Sequence, residues 1–275
     1  MMVEGRKFYF QIGSLEKGMK VLELLAEKEA LSVTKVAEEL GFNRTNSHRY
    51  LATLRKLGYV DQDAESRYSL TFKVLELGGR FLSRFEIRRT ARPSLQELSS
   101  LFSETVNLGF WEGHAIRVLD KIDSPNVLRT DPTLGTLMPA HCTSSGKAIL
   151  AYLPREELDA FLASAPFKPY SPSTITTQQG LEKEMMRTRE RGFAVDNEEW
   201  LPGITCVAAP IFDYRGRPTY SISVAGPSFR MRKEAVDRIQ KKLKEVCGRI
   251  SISLGSPQSP VEREQGKEQR RRKHA

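Results

Sequence analysis

The stretch Ser32–Gly58, SVTKVAEELGFNRTNSHRYLATLRKLG, decides how the rest of the chain is read. Ser32 can accept a hydrogen bond at the head of a helix in which Val33, Val36, Ala37 and Leu40 share one face, and Gly41 supplies a left-handed stop. Two residues further on, Asn43 can cap a second helix, RTNSHRYLATLRKL, which Gly58 closes in the same way. Two short helices joined this tightly suggest a helix-turn-helix. In the second helix Ser47, Leu51 and Leu54 point inward, so Thr45, Asn46, His48, Arg49 and Ala52 project outward. Residues 43–57 hold Arg44, Arg49, Arg55 and Lys56 and no acid, a balance that suits a helix lying beside phosphates in a major groove. Arg49 and Asn46 carry side chains that can make paired bonds to guanine and adenine edges, whereas Ser32, Thr34 and Thr45 are short donors for phosphates. The candidate contacts to double-stranded DNA are therefore Ser32, Thr34, Asn43, Arg44, Thr45, Asn46, His48, Arg49 and Lys56. An ordinary solvated helix face is the competing reading.

Upstream, Ser14 can cap a helix whose apolar positions Leu15, Met19, Leu22 and Leu25 recur at helical spacing, with Glu16 in its first turn. Downstream, Tyr59-Val60, the polar turn DQDAES and Arg67–Leu70 read as a hairpin, the wing that follows the third helix. Arg67 on its far strand can reach a neighbouring phosphate backbone or minor groove, or is a surface arginine with no partner. Thr71 can then cap a connector helix in which Val74, Gly78, Phe81 and Phe85 form a seam that wants a partner chain. Gly78 and Gly79 permit a bend or a close approach there. Arg84, Arg88, Arg89 and Arg92 surround an expected break before Pro93, which places a domain boundary near 88.

The chain has 275 residues, 39% hydrophobic and 28% charged, enough apolar surface for more than one packed core. Its net charge of +9 raises the chance of a polyanionic partner, yet its distribution does not locate one. Residues 1–72 carry eleven Lys and Arg against ten Asp and Glu, while residues 229–249 carry eight against three. Apolar runs are too short to cross a bilayer, and the N-terminus lacks the apolar core of a secretory leader, so a cytoplasmic protein with no membrane contact is expected. Cys142, Cys206 and Cys247 are odd in number and widely spaced, which suggests reduced thiols and neither a disulfide framework nor a zinc finger. Residues 256–275, ending RRRKHA, have no periodicity and are expected to form a disordered basic tail.

Beyond residue 93 the pattern changes. NLGFW, a turn at Glu112-Gly113-His114 and IRVLDKI read as one hairpin; Cys206–Phe212 and Thr219–Ala225 read as another around DYRGRP. Helical patterns at residues 93–102, 146–163, 180–191 and 233–250 flank them, giving an α+β unit with an antiparallel sheet. Thr143-Ser144-Ser145-Gly146 stands just before the second of these helices, where free amides and hydroxyls can converge on an anion or simply cap the helix. Leu137 and Met138 can supply an apolar wall beside that loop or pack in a core.

With helix, helix, third helix and wing in order, residues 14–78 closely resemble the isocitrate lyase regulator (IclR) family of transcription factors. The likeness continues through LMPAHCTSSGKAIL, RGFAVDNEEWLPGITCVAAPIFD and YSISVAGP, so that it covers roughly residues 12–255. The resemblance implies a winged helix-turn-helix over residues 12–72, a linker and dimerisation helix over 73–88, and an effector-binding domain of the GAF or PAS kind over 89–255. It implies homodimers or homotetramers that mostly repress and sometimes activate, and a small organic anion as effector. Carried over by position, the effector site comprises Ser144, Ser145, Asp196, Cys206 and Ser223, with Leu137 and Met138 added as its apolar wall. Where many relatives have a second hydroxyl two residues after Ser223, this chain has Ala225, which makes the site less polar.

Two other classes compete. A catalytic reading draws on His141-Cys142, Cys206 and Asp196, but adjacent residues on an extended segment point to opposite faces, which leaves His141 badly placed to deprotonate Cys142. An architectural DNA-binding protein without ligand would have a filled core around Ser144 and Asp196. No cofactor or metal is called for by any ligand spacing.

Overall fold

Ser32 Oγ accepts the Lys35 amide (3.3 Å) and Asn43 Oδ1 accepts the Asn46 amide (2.7 Å), so both caps of the paired helices form as read. The computed structural model describes residues 12–256, in two compact units, residues 12–85 and 86–256. The tail expected from Ser256 onward lies, after that residue, outside the described residues; Ser256 itself is buried, its amide on the Ser251 carbonyl.

The first unit runs α1 (Gly13–Glu27), β1 (Leu31–Ser32), α2 (Val33–Leu40), α3 (Arg44–Lys56), β2 (Val60–Gln62), β3 (Arg67–Leu70) and α4 (Phe72–Leu82). Its strands pair antiparallel in the order β1-β3-β2, so the wing contains a two-residue strand that periodicity had not singled out. Val21, Leu24, Leu25, Val36, Leu51, Leu54, Val60 and Tyr68 form one core. Gly41 takes φ +63 and Gly58 φ +80, the left-handed geometry that lets the chain turn after α2 and α3. Two expectations for α1 are corrected. Ser14 lies inside the first turn and the N-cap is Ile12, without a side-chain bond. The packed face is Val21, Leu24 and Leu25, leaving Leu15 and Met19 exposed. This helix is apolar around most of its circumference, so spacing alone does not choose which side packs.

Thr71 Oγ1 caps α4 at the Lys73 amide (3.3 Å), and Lys73 Nζ reaches back to the Leu57 carbonyl (2.6 Å). None of the eleven residues of α4 is buried. Phe72 is 87% exposed, and Leu75, Leu77 and Phe81 are also exposed.

The second unit contains α5 (Glu86–Phe102), β4 (Thr105–Trp111), β5 (Ala115–Ile122), β6 (Leu137–Pro139), α6 (Ser144–Leu150), α7 (Arg155–Ser164), α8 (Gln178–Arg191), β7 (Ala194–Asn197), β8 (Ile204–Phe212), β9 (Pro218–Pro227) and α9 (Lys233–Ser253). Its sheet is antiparallel throughout, in the order β6-β5-β4-β9-β8-β7. The expected break before Pro93 does not occur: Pro93 sits inside α5, and the helices separate earlier, at Ser83–Phe85, where the two units also divide. Ile87, Ala91, Leu95 and Leu98 bury one side of α5, and that packing outweighs the hydrogen bond that Pro93 cannot make. Of the arginine cluster, Arg92 and Arg88 flank buried Asp120, Arg92 bonding it directly. The helix expected over 146–163 is two, α6 and α7, parted before Pro154.

Side chains alternate across each strand, so register assigns the two faces of the sheet. Val106, Leu108, Val207, Ile222 and Val224 fall on one face, and α5 and α9 lie against the sheet there. On the other face Asp196, Cys206, Ala225 and Thr105 stand in one cross-strand row, and Ala194, Ala208, Ser223 and Asn107 in the next. Helix α6 packs on this second face, with Ala148 against Ala194 and Ala208. A Cβ on Gly146 would stand 2.2 Å from the Ala140 carbonyl oxygen, so only glycine lets α6 come this close.

Candidate functional site

Two sites stand out, one in each unit. On α3 the inward set is as read: Ser47, Leu51 and Leu54 are buried, with Ser47 Oγ bonded to the Asn43 carbonyl (3.2 Å). Thr45, His48, Arg49 and Lys56 are exposed, and Arg44, Thr45, His48 and Arg49 border a shallow hollow with Val33 of α2. Thr34 is exposed on the first turn of α2. Arg44, Arg49 and Lys56 form no ion pair among the described residues, which leaves their charges free for phosphates or base edges.

Other members of the set are more committed. Asn43 and Ser32 each spend a side-chain oxygen on a cap. Asn46 is half-buried and borders a groove toward α1 with Leu15 and Met19, on a different flank from His48. Arg55, which the charge pattern grouped with the others, bonds Gln62 (2.9 Å). Arg67 is held by Asp63 (2.8 Å) and Glu65 (3.3 Å) within its own hairpin, so the wing arginine has partners already.

The second site is a cavity of about 340 Å³ on the α6 side of the sheet. Met138, Ser144, Ser145, Asp196, Cys206 and Ser223 all line it, brought together by cross-strand register from positions far apart in the chain. Leu137 does not: alternation along β6 turns Met138 inward, at 6% exposed, and Leu137 outward, at 41%. The cap of α6 is Thr143, whose Oγ1 takes the Gly146 amide (3.3 Å), so Ser144 and Ser145 are the first residues of the helix. Ala225 lines the cavity opposite Cys206.

Several lining residues escaped the sequence reading. Asn107 comes from β4, Trp200 and Leu201 from the turn before β8, Ile204 from the first position of β8, and Arg129, Thr130 and Asp131 from the β5–β6 connection, residues 123–136. That connection is fastened down: Thr105 Oγ1 donates to the Thr130 carbonyl (2.7 Å), Arg230 Nη2 to the Leu128 carbonyl (2.8 Å), and Lys121 pairs with Asp131. Asn107 Oδ1, Thr130 Oγ1 and Ser145 Oγ, on three residues that line the cavity, are buried without a hydrogen-bond partner. Most buried polar atoms in folded proteins are paired, so three in one place mark a site rather than a defect.

Asp196 is 2% exposed, and burial pushes its carboxyl up to about 7 although the Glu199 amide donates to Oδ1 (2.8 Å). Behind it Lys147 and Glu199 form a buried ion pair, so the lysine charge is engaged by Glu199. The cysteines are not activated. Burial raises the Cys142 thiol to about 12 and Cys206 well above its ordinary value, and His141 is lowered by burial with its Nε2 at the Lys168 carbonyl (3.0 Å). A thiol so raised is not a nucleophile near neutral pH. Among the described residues no group of three or more His, Cys, Asp or Glu side chains is placed to hold a metal ion, and no helix is long and apolar enough to cross a membrane.

Two family models match the chain. One, described as the IclR helix-turn-helix domain, matches residues 14–64, and one, described as the C-terminal part of the bacterial transcriptional regulator IclR, matches residues 79–252. The chain is 33% identical over 245 residues to the HTH-type transcriptional regulator KdgR of Escherichia coli, covering 89% of this chain and 93% of that one. It is 29% identical over 248 residues to the HTH-type transcriptional regulator XynR of the same organism, covering 90% and 98%. A crystal structure of an IclR from Thermotoga maritima matches with a TM-score of 0.81 at 33% identity, covering 89% of this chain and 100% of the other.

Proposed function

The chain belongs to the IclR family of bacterial transcriptional regulators, and from that premise we propose that it is a sequence-specific repressor whose grip on its operator is set by a small organic acid held in the cavity beneath α6. It reads DNA with α3: Arg49 and His48 meet base edges, while Arg44, Lys56, Thr34 and Thr45 meet phosphates. Asn43 and Ser32 present this surface through their caps, and Asn46 and Arg67 contribute at its margins.

The ligand half of this reading is carried by the cavity itself. An architectural protein would gain stability by filling 340 Å³ with side chains, whereas this one keeps the space open among Asp196, Ser144, Ser145, Cys206, Ser223 and Met138. Arg129 brings a positive charge to the wall, which suits an anion. With both neighbouring thiols held protonated, neither Cys142 nor Cys206 supplies a thiolate nucleophile for catalysis.

The exposed apolar surface of α4 pairs two chains, so the protein works as a homodimer or a pair of dimers in the cytoplasm. An effector that binds one arrangement of the paired cavities better shifts the spacing of the reading heads, because only differential affinity moves such an equilibrium. Footprinting on the regions upstream of its own and neighbouring genes, with and without organic acids, tests both halves. Protection that an acid releases, and that Asp196→Ala makes insensitive to the acid, is the expected result; no protected duplex under any condition would end the proposal.

A further inference from the structure

The three unpartnered atoms of the cavity are not scattered. Thr105, Asn107 and Gly109 occupy successive same-face positions of β4, about 7 Å apart for each pair of residues along a strand. Thr130 lies over the first, its carbonyl held by the Thr105 hydroxyl. Asn107 is the second. Ser145 lies over the third, with Oγ 3.7 Å from where a Cβ on Gly109 would be. Thr130 Oγ1, Asn107 Oδ1 and Ser145 Oγ thus form a polar track along one strand, with Asn107 itself only 4% exposed.

The chemistry of these atoms narrows what the track accepts. A carboxylate or a keto oxygen only accepts hydrogen bonds, so it can take protons from Thr130, Ser145 and the amide Nδ2 of Asn107 but gives none to Asn107 Oδ1. A hydroxyl both donates and accepts, and satisfies the amide of Asn107 from either end. Ser223 stands directly across from Asn107 in register and gives a ligand hydroxyl a second partner. Next to them Ala225, facing Thr105 on one side and Cys206 on the other, contributes no such group. The polar side of the ligand is thereby assigned to the track and its hydrocarbon side to Met138, Trp200 and Ile204.

Resting on the effector reading of this cavity, we infer that the effector is a hydroxy acid, selected over the plain acid that lacks the hydroxyl through a ligand hydroxyl bound by Asn107, with Thr130 and Ser145 completing the track. A site built to bond a hydroxyl rejects the analogue that lacks it, because its own buried groups are then left unpaired.

Titration calorimetry on the full chain tests this with two pairs of acids that differ only in hydroxyls, 3-hydroxybutyrate against butyrate and gluconate against hexanoate. In at least one pair the hydroxylated acid binds ten times or more tighter, and Asn107→Ala brings that ratio to within about threefold. Thr130→Val, which keeps shape and removes one hydroxyl, lowers the ratio severalfold and guards against Asn107→Ala failing to fold. Equal binding within both pairs, or a ratio unmoved in both variants, overturns the inference and leaves the effector reading standing. No binding by any of the four acids at millimolar concentration removes the effector reading, and this inference with it.

Discussion

Helices α3 and α6 begin alike and serve opposite ends. Each opens on a polar cap, Asn43 or Thr143, whose side chain takes an amide three residues on. From there they part: α3 buries Ser47, Leu51 and Leu54 and exposes most of the rest, while every residue of α6 is buried. The working surface of α3 is its outer side; α6 has no outer side, and offers only its leading end to the cavity. The contrast teaches what each site tolerates. A change on the outer side of α3 meets solvent or duplex, and a change on α6 meets packed protein with no room to give.

The largest way to break the contrast is to remove what anchors α3. Leu51→Ala should cost about 2–5 kcal/mol in urea unfolding of the first unit, because a fully buried leucine leaves a cavity behind. A loss under about 1 kcal/mol would mean that the inner side of α3 does not hold it in place.

A second test sharpens the buried end. The carboxyl of Asp196 lies near 7 in the folded protein against roughly 3.9 when unfolded, so the folded state holds the proton more tightly. Its contribution is complete below the unfolded value and is lost as pH rises through about 7. Wild type should therefore lose on the order of a few kcal/mol between about pH 4 and pH 8 relative to Asp196→Asn, whose side chain cannot ionise. Parallel stability curves for the two proteins would contradict the burial argument.

The smallest effects lie on the outer side of α3 and its hairpin, and there a pair of arginines is informative. Arg49→Ala should weaken operator binding by about 1–3 kcal/mol and blur one base position, since Arg49 has no ion pair to fall back on. Arg67→Ala should cost less than about 1 kcal/mol, because Asp63 and Glu65 already hold it at the surface. Equal losses in a gel-shift titration would mean that the wing, and not only the helix, reads the duplex.

The same contrast explains what could be read from residues alone. The outer side of α3 was legible because helical period is local: four turns of sequence contain the whole pattern. Asp196, Cys206 and Ser223 required a likeness to known regulators, since only the pairing Asp196–Cys206 and the paired registers of β8 and β9 bring them together. Asn107 stayed hidden because an asparagine in a strand announces nothing until its neighbour Ser223 is known. Arg129 and Thr130 sit in a connection without period, held by bonds from Thr105 and Arg230 that no spacing foretells. Pro93 misled for the opposite reason: a strong local signal for a break yielded to the packing of Leu95 and Leu98.

Gly146 carries one more consequence. With the α6 backbone seated on the carbonyl of Ala140, any side chain at position 146 would push the helix off that seat. A bulkier guest is accommodated more readily on the side of residues 123–136, held by single bonds from Lys121, Thr105 and Arg230, than by a helix whose every residue is packed. Variation in guest size among related chains should accordingly be written in the length and fastening of this one loop, while the helix opposite keeps its glycine.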